Sequence, residues 1–168
     1  MYLDARRLIL ITFTSVTLIS VLSLSYTFYM YVGTYTALRM INVSIQDMGF
    51  TIIDSTHATV YNNLSVYNPS KFTFVLSCVH QEIYVNGQFM GEGWRTMYTN
   101  VIQLTPLSNV SILMLAGIKD DPQVDPDRIV SILNETTEKS WHLITGIYVD
   151  APIIGNVWVK FDEDIQTE

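Results

Sequence analysis

The three histidines are the residues of this chain best suited to acid–base or metal chemistry, and they lie far apart in the sequence. His57, His80 and His142 would share a metal ion only if three separate strands brought them together, because none has a second ligand at the local spacing of a zinc site. The chain also lacks a G-x-S-x-G motif, a phosphate-binding loop and a dinucleotide fingerprint. We therefore predict no catalytic residues, no enzyme activity and no cofactor, and we expect solvated histidines.

An acidic, turn-rich stretch between residues 120 and 127 is a second group of potential ligands. Ca²⁺ prefers several oxygen ligands from a flexible loop. The spacing does not match the EF-hand loop, however, and Pro122 and Pro126 interrupt it. Turn formation and a helix start at Asp125-Pro126 explain most of these aspartates without a metal. The candidate calcium ligands are Asp120, Asp121, Asp125 and Asp127.

Four N-x-[ST] sequons could carry N-linked glycans. Roughly one or two would arise by chance in a chain of this composition, so four suggest an extracytoplasmic location. The apolar patterning places Asn63 on the polar face of a strand and Asn134 on the solvent side of a short helix. The candidate glycosylation sites are Asn42, Asn63, Asn109 and Asn134.

A membrane span at the N-terminus would hold these sites on one side of a bilayer. Residues 8–38 contain no charged side chain, and about twenty helical residues cross a hydrocarbon core of about 30 Å. A cleavable signal would have a shorter apolar core and a small-residue cleavage site, so we expect a retained transmembrane helix with an interfacial extension at 8–38. Arg6 and Arg7 precede the span and Arg39 follows it, which predicts a cytoplasmic head at 1–7.

Small hydroxyl side chains recur in this span at spacings of three, four and seven residues, which places them on one helix face. One interpretation is a contact with another transmembrane helix. The alternative is that each hydroxyl bonds the carbonyl of its own i−4 residue while it faces lipid. The candidate helix-interface residues are Ser20, Ser23, Thr27 and Thr34.

The remainder of the chain has the size of one domain, which we place at residues 42–161, followed by an acidic tail at 162–168. Beyond Met40 there are six lysines and arginines against fifteen aspartates and glutamates. Such a surface repels phosphates, so nucleic acid is not an expected partner. The single cysteine, Cys78, excludes an intrachain disulfide and a multi-cysteine zinc site.

From Asn42 onward the pattern is typical of short β-strands separated by turns. Residues 57–68 alternate between apolar and polar positions, and residues 72–86 change apolar parity midway, which predicts a bulge. Asn86-Gly87 predicts a tight hairpin, and a short helix should follow Pro126.

Large aromatic side chains could mark a surface for a partner or a sugar, although core filling explains aromatic residues equally well. Trp158 lies opposite the face formed by Val157 and Val159 and should therefore be exposed unless the second sheet or a partner covers it. The aromatic residues considered are Trp94, Tyr98, Trp141 and Trp158.

The order of these features resembles the group 2 late-embryogenesis-abundant family, also called the water-stress-and-hypersensitive-response (WHy) domain. The likeness is carried by ATVYNNLSVYNP at Ala58–Pro69, IYVNGQFMGEG at Ile83–Gly93, the helix at Pro126–Leu133 and TGIYVDAPIIGNVWVKF at Thr145–Phe161. It implies a mainly β, fibronectin-III-like (immunoglobulin-like) β-sandwich with one short helix and no catalytic activity. The family is associated with stress tolerance, but this chain is less polar than its desiccation-protective members.

Together, these patterns predict a non-enzymatic, single-pass protein of the cell membrane. Its N-terminus would be cytoplasmic, and its extracytoplasmic β domain would act as an accessory or structural subunit of a membrane-bound assembly. The expected partners are membrane lipid and other membrane-protein subunits. Two alternatives stay open: an envelope stress-protective protein of the late-embryogenesis-abundant type, and a module that binds Ca²⁺ or another ligand through the acidic stretch.

Overall fold

A long apolar helix leads into a mainly β domain in the computed structural model of this chain. The structure describes residues 4–97, 101–119, 128–134 and 139–167. The elements in chain order are α1 (Ala5–Met40), β1 (Asn42–Ile52), β2 (His57–Asn68), β3 (Phe74–Val85), β4 (Gln88–Thr96), β5 (Ile102–Leu104), β6 (Ser108–Lys119), α2 (Arg128–Asn134), β7 (Lys139–Ala151) and β8 (Gly155–Thr167).

Helix α1 contains the whole predicted apolar run and extends slightly beyond both of its ends. It begins after Asp4, whose side chain accepts a hydrogen bond from the backbone N–H of Arg6 and so caps the first turn. The helix is long enough and apolar enough to cross a membrane. Its 36 residues span about 54 Å at about 1.5 Å per residue. Because a hydrocarbon core is only about 30 Å thick, part of α1 would lie outside any bilayer that it crosses.

The strands form one continuous antiparallel sheet that curls around its own inner face. Their order is β1-β2-β6-β4-β3-β7-β8, and β5 pairs with β3. The sheet has two halves, β1-β2-β6 and β4-β3-β7-β8, and their inner faces pack together in a common core. The mainly β architecture is therefore confirmed, whereas a fibronectin-III-like sandwich of two separate sheets is not.

Glycines in β4 explain why the two halves stay joined. The halves are hydrogen-bonded through the pairs Gly91–Ile118 and Glu92–Gly117. A side chain at Gly93 would bring its Cβ within 2.9 Å of the Ala116 Cβ, and one at Gly91 would come within 3.2 Å of the Gly117 carbonyl oxygen. Since glycine carries no Cβ, β4 can approach β6 closely enough to pair with it.

The local backbone signals read from the sequence are confirmed. Asn86 and Gly87 have φ values of 49° and 77° and form the turn between β3 and β4, as an Asn-Gly hairpin requires. The register between β3 and β7 shifts between Leu76 and Cys78, at the point where the apolar parity of the sequence changes. This bulge returns the apolar side chains of the second part of β3 to the core.

A layer of buried polar side chains divides the core into two apolar clusters. Asn62 on β2 donates from Nδ2 to Oε1 of Gln81 on β3 at 2.5 Å, and Nε2 of Gln81 donates to Oγ1 of Thr145 on β7 at 3.1 Å. All three residues are buried. Leu64 and other residues on the side nearer α1 form one cluster, and Val60 and other residues on the far side form the second. We call this chain of hydrogen bonds the polar layer.

The predicted acidic tail at 162–168 needs a correction, because β8 continues through it to Thr167. Strand β8 pairs with β7 along its whole length, from Ala151–Gly155 to Lys139–Thr167. Ile165 packs against the core cluster on the far side of the polar layer. The additional backbone pairing and this apolar contact extend the strand beyond the predicted domain end at Phe161.

The two outer strands of the sheet, β1 and β8, meet at a seam. Strand β1 has an irregularity between Ile45 and Asp47 in its register with β2. At this position the backbone N–H of Ile45 donates to Oε2 of Glu163 on β8 at 3.0 Å. The Glu163 side chain therefore bridges the two edge strands.

Candidate functional site

The last turns of α1 are part of the core of the β domain. Ala37, Leu38 and the following Ile41 are buried in the same apolar cluster as Leu64 of β2 and Phe74 of β3. Burial of this kind stabilises the folded state by roughly 25 cal/mol for each Å² of apolar surface removed from water. The helix and the domain are therefore packed as one unit at this junction.

The loop between β2 and β3 extends the junction along α1. Nζ of Lys71 lies 3.4 Å from the Tyr29 hydroxyl and 5.6 Å from the centroid of the Tyr29 ring. Phe72 lies against Gly33, where a Cβ would come within 3.2 Å of the Phe72 ring. The domain thus contacts the helix from Tyr29 to its C-terminal end.

An exposed cluster of aromatic rings lies on the outer side of β3, β4, β7 and β8. The His80 and Trp94 rings stack with centroids 4.0 Å apart, and Trp94 meets Trp158 edge-on at 6.1 Å. Tyr148 lies 5.2 Å from Trp158. Trp94 and Trp158 are 55% and 44% exposed, respectively. We call these four residues the aromatic face.

A carboxylate fixes the His80 end of the aromatic face. Nε2 of His80 lies 3.0 Å from Oε2 of Glu92. Hydrogen bonds from His80 and Trp94 favour the charged form of the Glu92 carboxylate and lower its pKa. The fixed charge orients the imidazole that stacks on Trp94.

Two grooves border the aromatic face. One has a volume of about 540 Å³ and is lined by Trp94, Thr96, Tyr148, Cys78 and Asp150 among others, and burial raises the pKa of the Cys78 thiol. The other, of about 400 Å³, lies between α1 and β8. Its walls include Tyr31, Tyr35, Arg39, Ile154 and Trp158. Trp158 thus belongs both to the aromatic face and to this second groove, and it connects the aromatic face with the helix.

Gly146 leaves room for the Trp158 ring against the sheet. A Cβ at Gly146 would come within 3.0 Å of Cζ3 of Trp158. Gly146→Val should therefore displace the indole ring, increase acrylamide quenching of tryptophan fluorescence and destabilise the protein by about 1 kcal/mol or more. Gly117→Val is the control, because nothing lies within 4 Å of a Cβ there. Equal quenching in both variants would contradict this role.

The three histidines are not brought together. His57 lies 2.9 Å from Asp54, and His142 lies 2.7 Å from Asp164. The Thr56 backbone N–H, together with His57, lowers the Asp54 pKa to about 2. Within the described residues no three His, Cys, Asp or Glu side chains form a metal-binding group. The calcium candidates Asp120, Asp121, Asp125 and Asp127 lie outside the described residues and stay a prediction.

Two of the sequons lie side by side on the outer side of β2 and β6. Ser65 donates to Oδ1 of Asn109 at 2.8 Å, and Ser111 donates to Oδ1 of Asn63 at 2.6 Å. Each asparagine is therefore held by the serine of the other sequon. Asn42, Asn109 and Asn134 are exposed and Asn63 is half-buried, and the occupancy of all four sites stays a prediction.

The four candidate helix-interface residues of α1 fall into two groups. Ser20 and Thr27 are exposed and donate to the i−4 carbonyl oxygens of Val16 and Ser23, at 2.8 and 2.9 Å. Ser23 is also exposed. Thr34 is fully buried at the junction, and its hydroxyl has no partner among the described residues. The sequence pattern therefore combined an exposed set with a residue that is buried at the junction with the chain's own domain.

Sequence reasoning found the aromatic face only in part. Trp158 is exposed, as its strand position predicts, whereas Trp141 is buried and packs 6.0 Å from the Phe50 ring. Tyr98 lies outside the described residues. His80 and Tyr148 were missed, and the signal for them was their alternation with core residues in β3 and β7.

No protein-family model matches this chain, and no curated protein sequence matches it. The solution structure of the Arabidopsis thaliana protein AT1g01470 is similar over 75% of this chain and 80% of its own, with a TM-score of 0.54 and 14% identity. A protein from Archaeoglobus fulgidus is similar over 74% and 96%, with a TM-score of 0.49 and 11% identity. A candidate late embryogenesis abundant (LEA) protein is similar over 92% and 86%, with a TM-score of 0.42 and 14% identity. The similarity to AT1g01470 shows a shared fold.

Proposed function

We propose that this chain is a non-catalytic, single-pass protein of the cell membrane whose extracytoplasmic β domain serves as an accessory subunit of a membrane-bound assembly. In this proposal α1 crosses the bilayer with its N-terminus in the cytoplasm, and the domain has a fibronectin-III-like fold. The aromatic face binds a neighbouring subunit. Exposed tryptophan and tyrosine rings are the residue types that contribute most to protein interfaces.

The observation that supports this proposal best is the continuity between the aromatic face and the helix. Trp158 contacts Trp94 and Tyr148 on one side and lines the groove beside Tyr31 and Tyr35 on the other. A partner that also has a transmembrane segment could therefore contact the domain and the anchor at the same time. Such a two-part contact increases affinity because the second contact forms at high effective concentration.

A fixed orientation of the domain favours the same role. Because Ala37, Leu38 and Ile41 are buried with the domain core, the aromatic face keeps one direction relative to the axis of α1. A subunit with a preoriented surface loses less entropy when it binds than one on a flexible tether.

The test is a gentle-detergent pull-down of the full-length protein with mass spectrometry of co-purifying chains and of the sequons. We expect stoichiometric membrane partners, and glycans on Asn42 or Asn109 would support the extracytoplasmic location. Trp94→Ala with Trp158→Ala should weaken partner binding by roughly thirtyfold, the effect of losing about 2 kcal/mol at an interface hot spot.

The matched control replaces Leu113 and Leu115 with alanine. Both are exposed on β6, on the other half of the sheet. The control should retain the partners. Equal loss in both variants, or a wild-type protein that purifies alone, would contradict the proposal.

Protection of the cell envelope during stress is the second candidate function. The observation that favours it is the resemblance to the group 2 late-embryogenesis-abundant family across most of residues 42–161. A deletion strain should then lose viability on drying or osmotic shock, and the full-length gene should restore it. Normal tolerance in the deletion strain would argue against this function.

A further inference from the structure

Two surface turns combine apolar side chains with a backbone conformation that such residues avoid. Leu107 has φ 55° and is 71% exposed, and Ile153 has φ 69° and is 53% exposed. Each follows a proline, at a turn position where glycine or asparagine is usual. For a bulky or β-branched residue this conformation is a real outlier, and such outliers concentrate at functional sites. We call Leu107 and Ile153 the turn tips.

Both turn tips lie at the end of the domain from which α1 leaves. The Asn68 side chain connects the turn of Leu107 to the loop beside the helix. Its Nδ2 donates to the carbonyl oxygen of Phe72 in that loop at 2.7 Å, and it lies 3.1 Å from the carbonyl oxygen of Thr105 in the turn. Phe72 in turn lies against α1. Ile154, next to the second turn tip, lines the groove beside Tyr31 and Tyr35. The helix and both turn tips therefore share one end of the molecule.

The length of the free part of α1 places this end at the level of the lipid headgroups. The domain contacts the helix from Tyr29 onward, which leaves Leu8 to Phe28 for the hydrocarbon core. These 21 residues span about 31 Å, close to the thickness of about 30 Å that a bilayer core requires. If α1 crosses the membrane, the end of the domain cannot lie far from its surface.

The charges at this end are also suited to lipid. Lys71 lies beside Tyr29, and Arg39 lines the groove next to Ile154. Basic side chains near a bilayer are attracted by anionic headgroups, and tyrosines favour the interface. Asp150 is an acidic residue at this end and shares a groove with Pro152 and Ile153.

We propose that the turn tips insert into the boundary between headgroups and acyl chains and form a second lipid attachment beside α1. This inference rests on the proposed transmembrane role of the helix. Insertion would bury the exposed Leu107 and Ile153 side chains, and lipid contact explains why apolar residues occupy positions that favour glycine. The domain would then rest on the membrane surface at three points: the helix and the two turn tips.

The test uses full-length protein in vesicles of phosphatidylcholine with phosphatidylglycerol. Single cysteines are placed in a Cys78→Ser background and labelled with an environment-sensitive fluorophore, and nitroxide-labelled lipid serves as the quencher. We expect at least twofold stronger quenching for Leu107→Cys and Ile153→Cys than for Leu113→Cys. Leu113 is a matched control because it is 50% exposed in the middle of β6.

A probe at Leu18, in the middle of the proposed span, separates failure of this inference from failure of the proposed function. Quenching at Leu18→Cys without quenching at the turn tips would overturn the inference and leave the span intact. No quenching at Leu18→Cys would overturn the span and the inference with it. Blue-shifted emission at the turn tips without lipid quenching would place them against protein and would also overturn the assignment to lipid.

Discussion

Replacing Ala37 with glutamate is expected to separate α1 from the β domain. The Ala37 side chain is 4% exposed and lies in the core cluster with Leu64 and Phe74. An unpaired carboxylate is strongly disfavoured in such an environment. The free energy of unfolding should therefore decrease by about 3 kcal/mol or more. Thermal unfolding of the full-length protein in mild detergent, followed by circular dichroism, measures the loss.

The control for this experiment is Thr36→Glu. Thr36 is the preceding residue and lies on the exposed side of α1, where its hydroxyl donates to the carbonyl oxygen of Val32. The Thr36→Glu variant introduces the same charge at nearly the same position along the helix axis. We expect its unfolding temperature to stay close to that of the wild type. A similar decrease in both variants would mean that the charge acts through the detergent or the helix alone, not through the junction.

Replacing Gln81 with leucine is expected to destabilise the protein although the new side chain is apolar. The change removes the central member of the polar layer and leaves the buried Nδ2 of Asn62 and Oγ1 of Thr145 without their partner. Oδ1 of Asn62 already has no hydrogen-bond partner among the described residues. A buried polar group that loses its partner costs about 1–3 kcal/mol, so we expect a decrease of this size in the free energy of unfolding.

A triple variant separates lost hydrogen bonds from poor packing. Asn62→Leu, Gln81→Leu and Thr145→Val together remove every polar member of the layer, and stability should return to near or above the wild-type value. Gln88→Leu, an exposed position at the start of β4, should change stability by no more than about 0.5 kcal/mol. If the triple variant were as unstable as the sum of its single changes, packing and not polar pairing would dominate.

The sequence predicts the elements of this fold better than their arrangement. The turn at Asn86-Gly87 and the parity change in β3 depend only on neighbouring residues. Both could therefore be predicted from the sequence, and the structure confirms them. The pairing of β4 with β6 depends on the close approach of Gly91 to Gly117, which no local pattern reveals. The continuation of β8 beyond Phe161 was also missed, because the acidic residues after Phe161 were interpreted as a tail that follows the domain.

The same limit applies to the candidate site. The exposure of Trp158 follows from alternation within one strand, but its neighbours Trp94 and Tyr148 come from strands far away in the sequence. Thr34 shows the converse case. The hydroxyl pattern marked it as part of a helix contact, but only the three-dimensional arrangement shows that the chain's own domain covers it.

If α1 anchors the chain in a membrane, as proposed, the seam between β1 and β8 has a further consequence. Anchored domains diffuse in two dimensions at high local concentration, and an open edge strand would offer its backbone to the edge of the next copy. Here the Ile45 N–H on β1 is already bonded to the Glu163 side chain. A neighbouring copy would have to displace this charged side chain before it could add a strand there. In an anchored protein the seam would thus oppose polymerisation along the membrane surface, and the aromatic face would stay open for the proposed neighbour.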